Sequence, residues 1–402
     1  MRLTLLQDLR RLPRPVYILI IGQFLNRFGA FVFPFLALIL DQRGYSKGEI
    51  TLVLGALAVG HIAGPLVGGY LADAIGRRNT IVLSLLGSAV TLLGIYAAPT
   101  FTALALCALL NGFFNFLFGP AAHALITDLT PPALRLTSFA LFRFAINAGF
   151  AAGPAVAGFL FTRAPALLFF GDALSTVIFA AFAWIWLPHG LRSIAGRASS
   201  PRVVLRSWLD ACASLRAHHA YRQYLGVLLL TGICFVQIFS LLSLTTRDRG
   251  LEPTVYGALM GLNGLLVALI ELPLSAWYQR FPPRRLLAIG NVLMAVGAAL
   301  FGLAGGIQVF VLAMVVFTLG EIVALPTGLT YSSDLAPEAA RGRFFGFRGV
   351  TWGFASLFGS AGVWVYGEIG VTWWLIAATL PLFAAIGILP KPAVGRMAQG
   401  CR

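Results

Sequence analysis

The chain has 402 residues, of which 59% are hydrophobic and only 11% charged, and its mean hydropathy is +0.87. A soluble domain carries about a quarter charged residues, so a water-soluble core is excluded and the bilayer must be the solvent. The formal net charge of +15 would otherwise suit nucleic acid, but a polytopic membrane protein gathers arginine in the loops of one face, and no nucleic-acid partner is expected.

In chain order, residues 1–14 form a basic lead with Arg2, Arg10, Arg11 and Arg14. Apolar segments follow, each near the roughly 20 residues a bilayer span needs: 15–40, 49–72, 79–97, 101–127, 136–162, 165–188, 223–246, 254–279, 285–304, 307–332, 344–367 and 372–389. The first is too long for a cleavable signal and reads as a true span. An even number of spans puts both termini on one face. That face collects 21 basic residues, among them Arg77, Arg78, Arg135, Arg206, Arg284, Arg285, Arg341 and Arg343, against 5 on the other, Arg43, Lys47, Arg163, Arg247 and Arg249. The bias places both termini in the cytoplasm.

Residues 189–222 are the only long polar interval. They divide the chain into a six-helix bundle over 1–188, a basic linker over 189–222 and a second six-helix bundle over 223–402. Within the linker Val204, Trp208, Ala211 and Leu215 share one helical face, with Arg202, Arg206 and Asp210 elsewhere. This reads either as an amphipathic helix on the inner leaflet or as a solvated connection; His218 and His219 are expected to face solvent. The halves repeat: Arg43-Gly44 matches Arg249-Gly250, and Asp128 through Arg135 matches Asp334 through Arg341, both at an offset of 206. Such offsets mean duplication.

Between the second and third spans runs Gly69-Tyr70-Leu71-Ala72-Asp73-Ala74-Ile75-Gly76-Arg77-Arg78. Its acid and arginines cannot lie in hydrocarbon, so it is a tight hairpin at the membrane face. The pattern resembles the signature loop of major facilitator superfamily transporters. Gly149-x-x-x-Gly153-Pro154 through Gly158 in the fifth span resembles the antiporter motif of the drug:proton antiporter branch. Such small residues permit close helix packing. The resemblance implies an all-α membrane protein of twelve transmembrane helices in two pseudo-symmetric six-helix bundles, with substrate bound between the halves. The chain departs from that pattern at Ala74, where a basic residue is usual, at Ala108, where the fourth span often carries arginine, and at Arg27, where some multidrug antiporters carry an acid.

Ionisable residues at bilayer depth are functional candidates by default; here they are Arg27, His61, His123, Arg143, Asp172, Glu271, Glu321 and Arg348. The resemblance implies that the first, fourth, seventh and tenth spans line the cavity and that the third, sixth, ninth and twelfth lie outside. Arg27 and Glu321 then face each other at cavity depth, with Asn26, Asn111, Asn115, Gln237 and Asn263 as polar contacts. Glu321 is the expected proton site and Glu271 its alternative, while Asp172 reads as structural and the histidines as packing residues. A gate on the terminal face is expected from Gly69, Asp73, Gly76, Arg77 and Arg78, with Asp128 steadying Arg77, and the resemblance implies that Asp73 meets the start of the eleventh helix, near Gly342 between Arg341 and Arg343, when that face is shut. Arg143 and Glu271 fall at matching depth, roughly 10–12 Å below that face at 1.5 Å per residue, and are expected to pair across the halves when it closes.

No catalytic triad, metal-ligand cluster or phosphate-binding loop is present in the sequence, so no cofactor or metal and no enzyme activity are expected. The reading is a monomeric, proton-coupled exporter of amphipathic or drug-like small molecules in a bacterial inner membrane. The alternatives are a lysophospholipid or glycolipid flippase, or a peptide or siderophore transporter, on the same fold. A membrane enzyme or a non-transporting sensor is more remote.

Overall fold

The computed structural model describes residues 9–131, 134–189, 212–278, 280–337 and 341–389, and contains no strand among them. The linker positions Val204, Trp208 and Ala211 lie outside the described residues, as does the Arg341 side chain. Ten described helical segments are long and apolar enough to cross a bilayer: Arg14–Gln42, Lys47–Ala74, Arg77–Ala97, Phe101–Leu129, Thr137–Arg163, Ala166–Trp186, His219–Ser240, Pro253–Glu271, Pro283–Leu303 and Ile307–Leu335. Thr372–Ile388 is shorter, and Arg341–Ile369 is a 29-residue helix carrying Arg348 and Glu368. These twelve segments follow the spans read from the sequence closely, and the protein is an all-α membrane protein of the expected class.

Two spans are broken. The first runs as Arg14–Phe28 and Val32–Gln42, interrupted at Gly29-Ala30-Phe31, and the seventh as His219–Ser240 and Leu242–Asp248. Both breaks lie toward the end opposite the termini. The turns at that end show the repeat in atomic detail. Gly44 and Gly250 both take left-handed φ, at +86° and +74°, which glycine adopts without a Cβ clash. The arginine before each reaches back to a carbonyl closing the third span of its half, Arg43 to Ile95 at 3.2 Å and Arg249 to Gly302 at 3.3 Å. The second span then starts on a capping box, in which Ser46 Oγ accepts from Glu49 N while the Glu49 carboxylate accepts from Ser46 N at 2.8 Å.

Small residues set helix spacing where lipid offers no hydrophobic drive for association. Gly60, Gly64 and Gly68 of the second span lie against the fourth: a Cβ at Gly64 would stand 2.6 Å from the Phe113 oxygen, and one at Gly68 2.7 Å from the Leu117 oxygen. Gly69, the first glycine of the loop motif, has open space beside it.

The apolar core is asymmetric along the membrane normal. At the end opposite the termini, Phe31–Leu40 of the first span, Cys234–Leu244 of the seventh and Tyr256–Met260 of the eighth belong to one continuous cluster. Towards the terminal face the cores are separate, one of the first six spans around Leu19, Ala121 and Phe179, and others of the last six around Tyr224, Leu287 and Tyr221. The protein is therefore packed shut at the end away from its termini. His218, expected in solvent, instead contributes to the last of these clusters: its Nδ1 lies 2.8 Å from the Ser214 oxygen and its ring meets the Phe344 edge at 5.4 Å.

Candidate functional site

A cavity of about 330 Å³ lies between the first six spans and the seventh and eleventh, within the size range of small-molecule sites. Its polar lining includes Asn26, Arg27, His61, Asn111, Asn115 and Asp172, and its apolar wall includes Phe33, Phe116, Phe150, Phe235, Phe239 and Trp352. The first-span break aims this chemistry inward. Gly149 and Gly153 of the fifth span pack on the first span beside it, where a Cβ on Gly149 would stand 2.8 Å from both Arg27 Cβ and Phe28 N. Gly158 of the same motif packs instead on the eighth span, where a Cβ would stand 3.2 Å from Gly257 Cα. The Arg27 guanidinium lies over the Phe150 ring, 5.7 Å from its centroid. Asn26 Nδ2 donates to Thr176 Oγ1 at 2.9 Å, and Asn111 Nδ2 to the Ser88 oxygen at 3.0 Å.

The tenth span contributes no lining residue, whereas the second, third, sixth and eleventh do. Glu321, Asn263 and Gln237 accordingly lie away from the lining, and Arg27 does not face Glu321. Gln237 is buried and donates to the Gly359 oxygen at 3.1 Å, tying the seventh span to the eleventh. Asp172 was missed as a lining residue because the sixth span was placed outside. The break in the first span lets its carboxylate reach inward, where Oδ2 accepts from Val32 N at 3.2 Å.

A second polar centre lies among the fifth, eighth and tenth spans. Asn263 Nδ2 donates to Glu321 Oε2 at 2.7 Å and to Thr318 Oγ1 at 2.9 Å. Glu271 and Arg143 are the charged groups that act on Glu321 electrostatically. Arg143 itself pairs with Glu271 through Nη2 and Oε1. The structure thus brings Arg143 and Glu271 together at the matching depth read from the sequence. It does so while the cores on the terminal face stand apart, so the pair is not formed only when that face closes.

In the loop between the second and third spans, Gly76 takes φ +95° and starts the third helix. Arg77 joins Asp73 at 3.2 Å and Asp128 at 3.0 Å, while Arg78 lies over Trp184 at 4.8 Å. The Asp73 side chain is 64% exposed and pairs with Arg77, in a structure whose terminal-face cores stand apart; the expected meeting with the eleventh helix belongs to the shut state of that face. At the opposite end Asp41 pairs with Arg247 across the halves and with Lys47 at 2.5 Å, and Asp248 accepts from the Tyr366 hydroxyl at 3.0 Å. This pairing went unread in the sequence, although a signal was there: the offset of 206 that matches Arg43 with Arg249 also matches Asp41 with Arg247. Equivalent positions face each other across a pseudo-twofold axis, and here they carry opposite charges.

The sequence model described as Major Facilitator Superfamily matches residues 19–252 and 241–399. The chain is 28% identical over 368 residues to the uncharacterized MFS-type transporter YqjV of Bacillus subtilis, covering 87% of this chain and 84% of that protein. It is 28% identical over 368 residues to a Na(+), Li(+), K(+)/H(+) antiporter of Planococcus maritimus, covering 83% and 84%. It is 28% identical over 352 residues to the multidrug resistance protein MdtH of Cronobacter sakazakii, covering 86% and 85%. Among solved structures, the nucleoside transporter NupG aligns with TM-score 0.80 at 17% identity over 93% of this chain and 99% of that one. A POT family transporter aligns with TM-score 0.78 at 14% identity over 93% and 95%; these likenesses show the fold alone. A twelve-span architecture, a cavity between its halves and a family match over nearly the whole length lead to one conclusion: the chain belongs to the Major Facilitator Superfamily and is a membrane transporter rather than an enzyme.

Proposed function

We propose that the protein is a proton-coupled secondary transporter that exports amphipathic or drug-like small molecules across a bacterial inner membrane by alternating access, acting as a monomer with both termini in the cytoplasm. The observation that carries this reading is the ion pair of Arg143 and Glu271 across the halves, with a second acid, Glu321, on the tenth span, where Asn263 of the eighth span donates to its carboxylate. A carboxylate in low dielectric is stable when it pairs with a cation or takes up a proton. In the proposed cycle Glu321 and Glu271 trade Arg143 as the halves rock, and the acid left without it loads a proton. Because Arg143 and Glu271 sit on opposite halves, that trade is linked to how the fifth and eighth spans lie against each other. Arginine bias supports the cytoplasmic termini, and the printed name of MdtH supports export of drug-like molecules. The internal duplication supplies both halves of the path within one chain, which supports a monomer.

The test is a proteoliposome assay with an imposed pH gradient and a panel of dyes, lipids and peptides. Accumulation of at least one dye that follows the gradient and collapses with a protonophore is the expected result. Movement of the panel that ignores the gradient would overturn proton coupling. A second reading, exchange of an alkali cation for protons, draws on the name of the Planococcus maritimus relative and on the oxygens of Glu321 and Thr318 gathered at Asn263. Sodium or potassium gradients in the same vesicles separate the two.

A further inference from the structure

We propose that the cavity is an organic-anion site: Arg27 binds a carboxylate, sulfonate or phosphate group whose aromatic or apolar body lies against the Phe116, Phe150 and Trp352 wall. This rests on the transport reading for its physiological meaning and adds the charge of the substrate.

The Arg27 guanidinium lines the cavity, yet among the described residues it makes no ion pair, and its buried Nε has no hydrogen-bond partner. A guanidinium is always charged and presents five donors in a planar fork that matches a carboxylate or phosphate. Leaving such a cation unpaired away from bulk water is costly, and the fold has held it there with care. Gly149 and Gly153 bring the fifth-span backbone against Arg27 and Phe28, which fixes the height of the side chain.

The acid that acts on Arg27 electrostatically is Asp172, and it is already in use. Its Oδ2 accepts from Val32 N at the start of the second piece of the first span, where helix N–H groups have no partner within the helix. The carboxylate thus caps the broken first span and acts on Arg27 only from beyond ion-pair distance, which leaves the guanidinium without a paired acid among the described residues. His61, also in the lining, lies flat on Phe116 with ring centroids 3.9 Å apart and supplies no negative charge. The cavity thus offers a guanidinium with no ion-paired acid in an aromatic box, a fork that an anion with an apolar body can engage directly, while the acid of the lining, Asp172, is held by backbone.

The test uses the full chain in lipid nanodiscs, with empty nanodiscs as the partition control, and three probes that share one ring system: 1-naphthoate, 1-naphthylmethylammonium and 1-naphthamide. Calorimetric titration is expected to give 1-naphthoate binding at least about tenfold tighter than the ammonium. A hydrogen-bonded charge pair supports a difference of about 10- to 100-fold. Arg27→Gln should weaken 1-naphthoate by a similar factor while leaving 1-naphthamide within about twofold, which also reports that the variant is folded. If Arg27→Gln does not fold, the wild-type preference alone decides. Equal or tighter binding of the ammonium by wild type, or undiminished 1-naphthoate binding by folded Arg27→Gln, overturns the site. The transport reading fails separately. Anion-selective binding without gradient-driven movement of 1-naphthoate would keep the site and remove its proposed use, whereas gradient-driven export of cationic dyes that Arg27→Gln does not alter would remove the site and keep the transporter.

Discussion

At the residue scale, the intramembrane charges separate into those whose partner was visible in the sequence and those whose partner was not. Arg143 and Glu271 were legible as neighbours because helical rise converts residue number into depth. Glu321 was legible as an acid inside the membrane, but its partners were not, because a depth argument says nothing of the direction in which a side chain points. It turns to Asn263 rather than to Arg27. Asp172 was read as structural and does hold a helix start, but the assignment of its span to the outside hid that it lines the cavity as well. Asp172→Asn should therefore lower stability by about 1 kcal/mol, the worth of a charged group at a helix N-terminus, read as a reduced unfolding midpoint in detergent. For the Arg143–Glu271 pair, Arg143→Glu or Glu271→Arg alone should impair transport, and the double reversal should restore part of it. Arg143 is 41% exposed, so the stability cost of breaking the pair is about 1 kcal/mol rather than the several of a dry pair. A double mutant no better than the worse single mutant would deny the coupling.

At the element scale, spans, loops and the duplication were readable, because hydrophobic length and polar punctuation set them. The breaks in the first and seventh spans were not read: Pro34, which cannot donate to the Ala30 carbonyl, is the signal for the first, while no proline or polar run marks Leu241 as the end of a helix. The lining draws on the second, third, sixth and eleventh spans and not on the tenth. The loop motif also divides by element. Gly69 sits in open space within a helix, whereas Gly76 holds a φ of +95°. Gly69→Ala should leave stability unchanged or raise it by up to about 1 kcal/mol through helix propensity, while Gly76→Ala should cost about 1–3 kcal/mol in backbone strain. Paired thermal unfolding of the two variants checks this, and equal effects would contradict it. The motif in the fifth span is read here as a seat for the first span at Gly149 and Gly153 and for the eighth at Gly158.

At the scale of the whole molecule, one core joins the halves at the end away from the termini, and separate cores serve them at the other. The sequence told that there are two halves but not which end is shut, because that depends on how the halves lean and not on what either contains. Asp41 with Arg247 is the ion pair that latches the shut end. Arg247→Gln should shift the population towards opening there, and spin labels at Gln42 and Glu252, in a chain freed of its four native cysteines, should report a longer mean distance than in the parent. The central claim is that an acid of the second half, Glu321, couples this rocking to a proton, and Glu321→Gln, which deletes that titratable group, tests it most directly. In proteoliposomes the account predicts that the variant loses accumulation driven by a pH gradient yet still exchanges substrate across the membrane at equal pH. Undiminished gradient-driven accumulation by Glu321→Gln would contradict it.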